Sequence, residues 1–262
     1  MIMVFEEENT LKHDNYITYS QGSIPLIISV PHGGSFMVEG IPDRVDGIHG
    51  IDRNTVDIAC FLRDKINNLF NLNQENEGVP SYIISKVSRI KIDFNRKESN
   101  AFNKESNVAK AIYHFFHKTL LDLISYNLDK FNRSLLVDIH GFEKSKRPDG
   151  FRDVELVLGT NNLESMFSIG LPKKDWGKNL RGNIIKKFNE LNIPIAPGHH
   201  RRREYVLTGG YIINTYGASR IKNSQTIQIE FSDKIRIKDD ILKERVLDIL
   251  AQLLYNECTI VK

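Results

Sequence analysis

Cysteine is scarce in this chain of 262 residues: there are two, Cys60 and Cys258, both inside predicted helices. Two isolated thiols exclude a disulfide scaffold and any cysteine-rich metal cluster, and each reads as a buried free thiol. Long apolar runs are missing as well, so no membrane span is expected. The start, MIMVFEEENT, carries acids where a secretory leader is basic, which predicts a cytoplasmic protein. A net charge of +3 is too small to argue for nucleic acid or a membrane surface. No internal repeat, low-complexity tract or linker appears, so residues 1–262 read as a single domain, long enough for a substantial core.

What is present is a recurring pattern. Pro25 to Gly34, PLIISVPHGG, is a β-branched apolar run, as expected of a strand buried on both faces. Pro31 ends it, because proline has no N–H for a neighbouring strand. His32 follows directly, where open α/β sheets bind ligands. Leu135 to Gly141, LLVDIHG, repeats the arrangement with His140, and TIQIE ends on Glu230. Two imidazoles and a glutamate from three strand ends make the skeleton of a zinc hydrolase site.

The remaining chain alternates helices and strands. Helices are predicted over 54–68, 106–131, 174–191 and 239–256, and further strands over 81–87, around VELVLGT and around 193–196. An edge strand is expected near Tyr16–Tyr19. Ile90, Ile92 and Phe94 alternate as a short strand or extended segment delivering Asn95 and Arg96. This order predicts an α/β three-layer sandwich with a largely parallel or mixed central sheet.

Zinc in catalytic sites takes three protein ligands and leaves one position open. His32 and His140 supply two. The third is expected to be a carboxylate after His32: Asp52, at a helix start, is chosen over Glu39, Asp43 and Asp46. Asp52 or Asn54 is also the expected N-cap of that helix. Asp138 shares the face of His140 and is expected to orient an imidazole. Glu230 is the candidate general base. Arg96 offers a planar fork suited to a carboxylate, and Arg89 a second contact. Gly209 and Gly210 would let a loop approach substrate closely. His114 and His117, in HFFH, read as surface or packing residues.

PHGG, SRIKIDFNR, VDIHGF, LVLGT, TGGYIINTYG and IQIEFS, in this order, resemble the motifs of the N-formylglutamate amidohydrolase family. That family is similar to zinc carboxypeptidases and to the succinylglutamate desuccinylase/aspartoacylase group. The resemblance spans about residues 24–235 and implies a phosphorylase/hydrolase-like α/β fold. It further implies one zinc ion and hydrolysis of a small N-acyl amino acid, with N-formyl-L-glutamate as the named substrate. It places metal on His32 and His140, the base on Glu230 and the substrate carboxylate on Asn95 and Arg96. The chain departs at one point: carboxypeptidase-like relatives carry HxxE, and here that position is Ser35. Alternative readings are a carboxypeptidase-like or other N-acyl-amino-acid hydrolase, and non-catalytic anion or nucleic-acid binding through the basic loop 199–203, GHHRRRE.

Overall fold

A computed structural model of the chain describes residues 15–73, 78–147, 151–205 and 207–259. The strands are β1 (Ile17–Ser20), β2 (Leu26–Val30), β3 (Ser81–Ser85), β4 (Ser134–Phe142), β5 (Leu156–Gly159), β6 (Ile195–Ala196) and β7 (Ser224–Ser232). They form one seven-stranded sheet in the order β1-β3-β2-β4-β7-β5-β6. Its centre, β3-β2-β4-β7, is parallel. β1 pairs antiparallel with β3 at one edge, and β5 antiparallel with β7 near the other. The expected mixed α/β sandwich is the observed one.

The helices are α1 (Thr55–Asn73), α2 (Glu98–Ala101), α3 (Asn107–Phe131), α4 (Leu180–Glu190), α5 (Tyr211–Tyr216) and α6 (Asp240–Thr259). α1, α4 and α6 bury Leu62, Ile184 and Leu250 against Ile28, Val137 and Ile229. α3 and α5 cover the other face, where Phe116, Ile112 and Ile212 meet Ile27, Ile83 and Leu136. Residue parity decides the face, since successive strand side chains point to opposite sides. Among the described residues no helix is long and apolar enough to cross a membrane.

Several local expectations are corrected. The predicted 174–191 helix is split: Lys173–Asp175 forms a short 3₁₀ turn, and α4 starts only after Asn179, whose side chain caps Gly182 N. Asn179 competes for the backbone as caps do, and this outweighs the helical spacing of Trp176. The predicted strand 81–87 ends at Ser85, leaving Val87 in an isolated bridge to Phe36. Ile92 and Phe94 are buried but lie in no strand, and Phe94 is in a turn. Asn54 holds the N-cap position of α1, its carbonyl accepting from Ile58 N at 3.1 Å, but neither expected residue caps the helix through its side chain. The Asp52 carboxylate accepts from Gly141 N, and Asn54 Nδ2 donates to Arg236 O at 3.3 Å.

Candidate metal centre

β2, β4 and β7 lie side by side and end together, so their carboxyl ends deliver side chains to one place. His140 and Glu230 are register partners on β4 and β7, as are Ser29 and Asp138 on β2 and β4. Ser29, Asp138, His140, Gln228 and Glu230 therefore project from the same face, the one covered by α3. His32 follows β2, and its carbonyl accepts from Asp52 N at 3.0 Å, which brings the segment before α1 back to the sheet.

The two imidazoles meet through Nδ1 atoms 3.1 Å apart. Asp52 Oδ2 lies 3.3 Å from His140 Nδ1 and 3.6 Å from His32 Nδ1. The outer nitrogens are held by carboxylates: His32 Nε2 is 2.7 Å from Asp93 Oδ1, and His140 Nε2 is 2.8 Å from Asp138 Oδ2. Ser29 Oγ donates in turn to Asp138. A carboxylate on each Nε2 keeps the proton there and turns the Nδ1 lone pair inward. Two such lone pairs and a carboxylate oxygen converging at this range repel one another unless positive charge lies between them.

The donor set fits a divalent ion. Metal–nitrogen bonds of about 2.0–2.1 Å in tetrahedral zinc sites put adjacent donors about 3.3–3.4 Å apart, and the three edges observed here are 3.1, 3.3 and 3.6 Å. All three residues are buried. Two imidazoles and one carboxylate, each braced from behind, are also a donor set that zinc favours.

Electrostatics follow the same arrangement. Burial disfavours an imidazolium at His140, but Asp138, Asp52 and Glu230 outweigh it and raise its pKa well above the ordinary value. Burial likewise opposes charge on Asp52, yet His140 and His32 hold its pKa well below the usual range. Asp93 is treated similarly, with His32 and then Arg89 overcoming its burial. Glu230 behaves in the opposite way: burial, reinforced by the Asp52 carboxylate, raises its pKa against the pull of His140. Gln228 Nε2 steadies the Glu230 carboxylate at 2.9 Å.

Three guanidinium groups gather around Asp93. Arg89 Nε donates to Asp93 Oδ2 at 3.0 Å, and its Nη1 is 3.9 Å from Asp52 Oδ1. Arg44 is buried with Nη1 3.6 Å from Asp93 Oδ2, and donates to the carbonyls of Arg89 and Ile48. Arg96 is 3.6 Å from the same oxygen, but its side chain is 48% exposed and so keeps donors for a ligand.

Asn95 lies within the cluster. Its Oδ1 accepts from Ile212 N at 2.8 Å and its Nδ2 lies 3.1 Å from His140 Nε2. Gly210 packs so closely that a Cβ would overlap the Asn95 amide, and Gly210 N donates to Gln228 Oε1 at 2.8 Å. Gly209, at φ +117°, occupies backbone that favours glycine.

The other candidates lie elsewhere. Glu39, Asp43 and Asp46 are exposed on the 35–50 loop, Asp43 paired with Lys91 at 2.7 Å. Ser35 is exposed too. His114 is 3.4 Å from Glu98, and His117 Nδ1 bonds Tyr216 Oη at 2.9 Å in an aromatic pocket whose burial lowers its pKa to about 4.

Asp93 and Arg44 were not anticipated. Alternation between Ile92 and Phe94 casts Asp93 as the outward residue of a strand. Its carboxylate instead accepts from Asn95 N at 3.0 Å, an Asx turn that swings the side chain inward. Asp-x-Asn was the available signal. Arg44 sits in a loop without periodicity and gives none.

No family model matches the chain, and no curated protein matches it. Solved structures do. N-formylglutamate amidohydrolase from Ralstonia eutropha JMP134 superposes with a TM-score of 0.65 at 13% identity, over 93% of this chain and 98% of that one. A gene product from Agrobacterium tumefaciens superposes with a TM-score of 0.54 at 14% identity, over 92% of each chain. At such identities the likeness establishes architecture, and this chain has the fold of the N-formylglutamate amidohydrolase structure.

Proposed function

We propose that the chain is a zinc-dependent amidohydrolase that releases the acyl group from a small N-acyl amino acid, N-formyl-L-glutamate being the leading substrate. The observation that carries this reading is the convergence of His32, Asp52 and His140, with Glu230 beside them and guanidinium groups at the rim. The likeness in fold and the order of the sequence motifs agree with it.

In this reading His32 and His140 hold the ion through Nδ1, and Asp52 completes the set in place of the absent HxxE glutamate. Asp93 and Asp138 fix the two rings. When bound, zinc polarises the acyl oxygen and lowers the pKa of water. Glu230 accepts the proton of the attacking water at its carboxylate and returns it to the departing amine; a burial-raised pKa suits both tasks. Arg96 pairs with the substrate's α-carboxylate, and Arg89, tied to Asp93 and beside Asp52, contributes positive potential at the developing oxyanion. Arg96, whose donors are exposed, with the positive charge of Arg89 and Arg44 behind it, favours an anionic substrate. Asn95, whose Oδ1 accepts from Ile212 N, fixes the start of α5 and with it the Gly209–Gly210 turn beside His140.

The test is release of free amino acid from a panel of N-formyl and N-acyl amino acids by zinc-loaded protein. Turnover is expected, fastest for acidic N-formyl substrates, and slower by about 10²–10⁴-fold in Glu230→Gln. No release from any substrate, or equal rates in both proteins, would remove the reading.

A further inference from the structure

The basic loop after β6 plays no part in the chemistry above, yet it is firmly built. Arg181, fully buried on α4, donates from Nε to Glu204 Oε1 at 2.7 Å. Its other nitrogens hold the loop backbone, bonding His200 O at 3.1 Å and Arg202 O at 2.9 Å. Glu204 accepts in addition from Thr160 N and Asn162 N at 2.8 and 3.0 Å. Burying an ion pair costs desolvation that apolar packing would not, so this clamp spends stability on holding one loop conformation.

That conformation presents cations rather than hiding them. Lys173, Lys174, His199, Arg201 and Arg202 line a cavity of about 480 Å³, a size that suits a small molecule. Among the described residues none of the two lysines and two arginines forms an ion pair, whereas Lys65, Lys91, Lys144 and Lys178 elsewhere on the surface all do. The adjacent acid, Asp175, is taken by Lys178 at 2.8 Å. His199 Nδ1 accepts from Arg201 N at 3.1 Å, which leaves its Nε2 as a donor. Burial, and after it the neighbouring His199 and the cations Lys186, Arg201 and Arg181, lower the pKa of His200, in keeping with a positive field.

We propose that this cavity, framed by Lys173, Lys174, His199, Arg201 and Arg202 on a loop fixed by Arg181 and Glu204, binds a compact anion bearing two linked phosphate groups. A phosphate group carries about 1.5 to 2 negative charges at neutral pH, so a linked pair matches four permanent cations. Arginine forks and lysine point charges both suit phosphate oxygens. Among the described residues no Phe, Tyr or Trp lines the cavity to stack a base, which favours a small ligand over single-stranded nucleic acid. The proposal does not depend on the hydrolase reading.

Calorimetric titration of the full chain with inorganic pyrophosphate, at 50 and 150 mM salt, tests it. Saturable one-to-one binding is expected, weakened at least 30-fold in Arg201→Ala/Arg202→Ala and at least 10-fold in Lys173→Ala/Lys174→Ala. Both double variants replace exposed side chains, so melting temperatures should match the parent's. Binding should persist in His32→Ala, which separates this site from the metal centre. Absence of saturable binding, parental affinity in both double variants, or loss of binding in His32→Ala would overturn the proposal. So would equal affinity for citrate, which would reduce the site to a general anion trap, or tighter binding of a single-stranded oligonucleotide, which would make it a nucleic-acid surface.

Discussion

The two faces of the central strands differ in kind although they share a backbone. Toward α1, α4 and α6, β2, β4 and β7 show mainly hydrocarbon: Leu26, Ile28 and Val30, then Leu135, Val137 and Ile139, then Ile227, Ile229 and Phe231, with Gln225 at the start of β7 the polar exception. Toward α3, β2 and β4 carry apolar Ile27 and Leu136 before turning polar with Ser29, Asp138 and His140, while β7 is polar throughout, from Thr226 to Gln228 and Glu230. One face holds the sheet together, and the other uses that rigidity to hold four carboxylates and two imidazoles at fixed separations. Costly burial of charge is thus confined to one corner, where each group has a partner, and the opposite layer supplies the apolar burial that offsets it.

This division separates stability from activity, and substitutions on either side should respond differently. The largest effect is expected on the polar face. Glu230→Gln should lower kcat by about 10²–10⁴-fold with zinc content unchanged. It should leave thermal stability equal or slightly higher, because a carboxyl whose folded pKa is raised opposes folding once ionised. Steady-state kinetics with metal analysis and a melting curve check all three points. Ile139→Ala, one residue from His140 but on the hydrocarbon face, should do the reverse. Denaturant unfolding should show a loss of about 2–5 kcal/mol, with kcat of the folded fraction near the parent's.

Asp93→Asn addresses the bracing behind the rings. It keeps the size of the side chain while removing the charge that holds the His32 Nε2 proton. Zinc affinity should fall by about 10–100-fold, measured by competition with a chelator, and stability should fall by about 3–5 kcal/mol, because the buried Arg89 and Arg44 lose their counter-charge. The smallest effect is expected at Asp233, on the chain just after β7. Burial would raise its pKa, but Lys238 and the Lys144 N–H hold it low. Its contribution is present above the ordinary carboxylate range and lost as pH falls through the depressed folded value. Asp233→Asn should flatten stability against pH in that acidic window and leave the kcat profile unaltered.

Much of this was legible in the chain itself, because strand ends announce themselves. His32, His140 and Glu230 each terminate a β-branched run, and period-two alternation put Asp138 with His140. Asp52 was legible only as an acid near a helix start. That it turns to Gly141 N rather than capping α1 depends on tertiary contact. Asp93 was lost because alternation between Ile92 and Phe94 suggested a strand, while an Asx turn decided the local conformation. The split before α4 has a similar origin, a capping asparagine overriding helical spacing around Trp176. Arg44 reaches the site from an aperiodic loop, and pattern carries no information there.

The proposed centre is one ion held by His32, His140 and Asp52. Crystals of zinc-loaded protein, measured at the zinc absorption edge, should show a single anomalous peak bounded by His32 Nδ1, His140 Nδ1 and Asp52 Oδ2, and none in His140→Ala. A parent protein with no peak there, or with zinc bound by other residues, would contradict it.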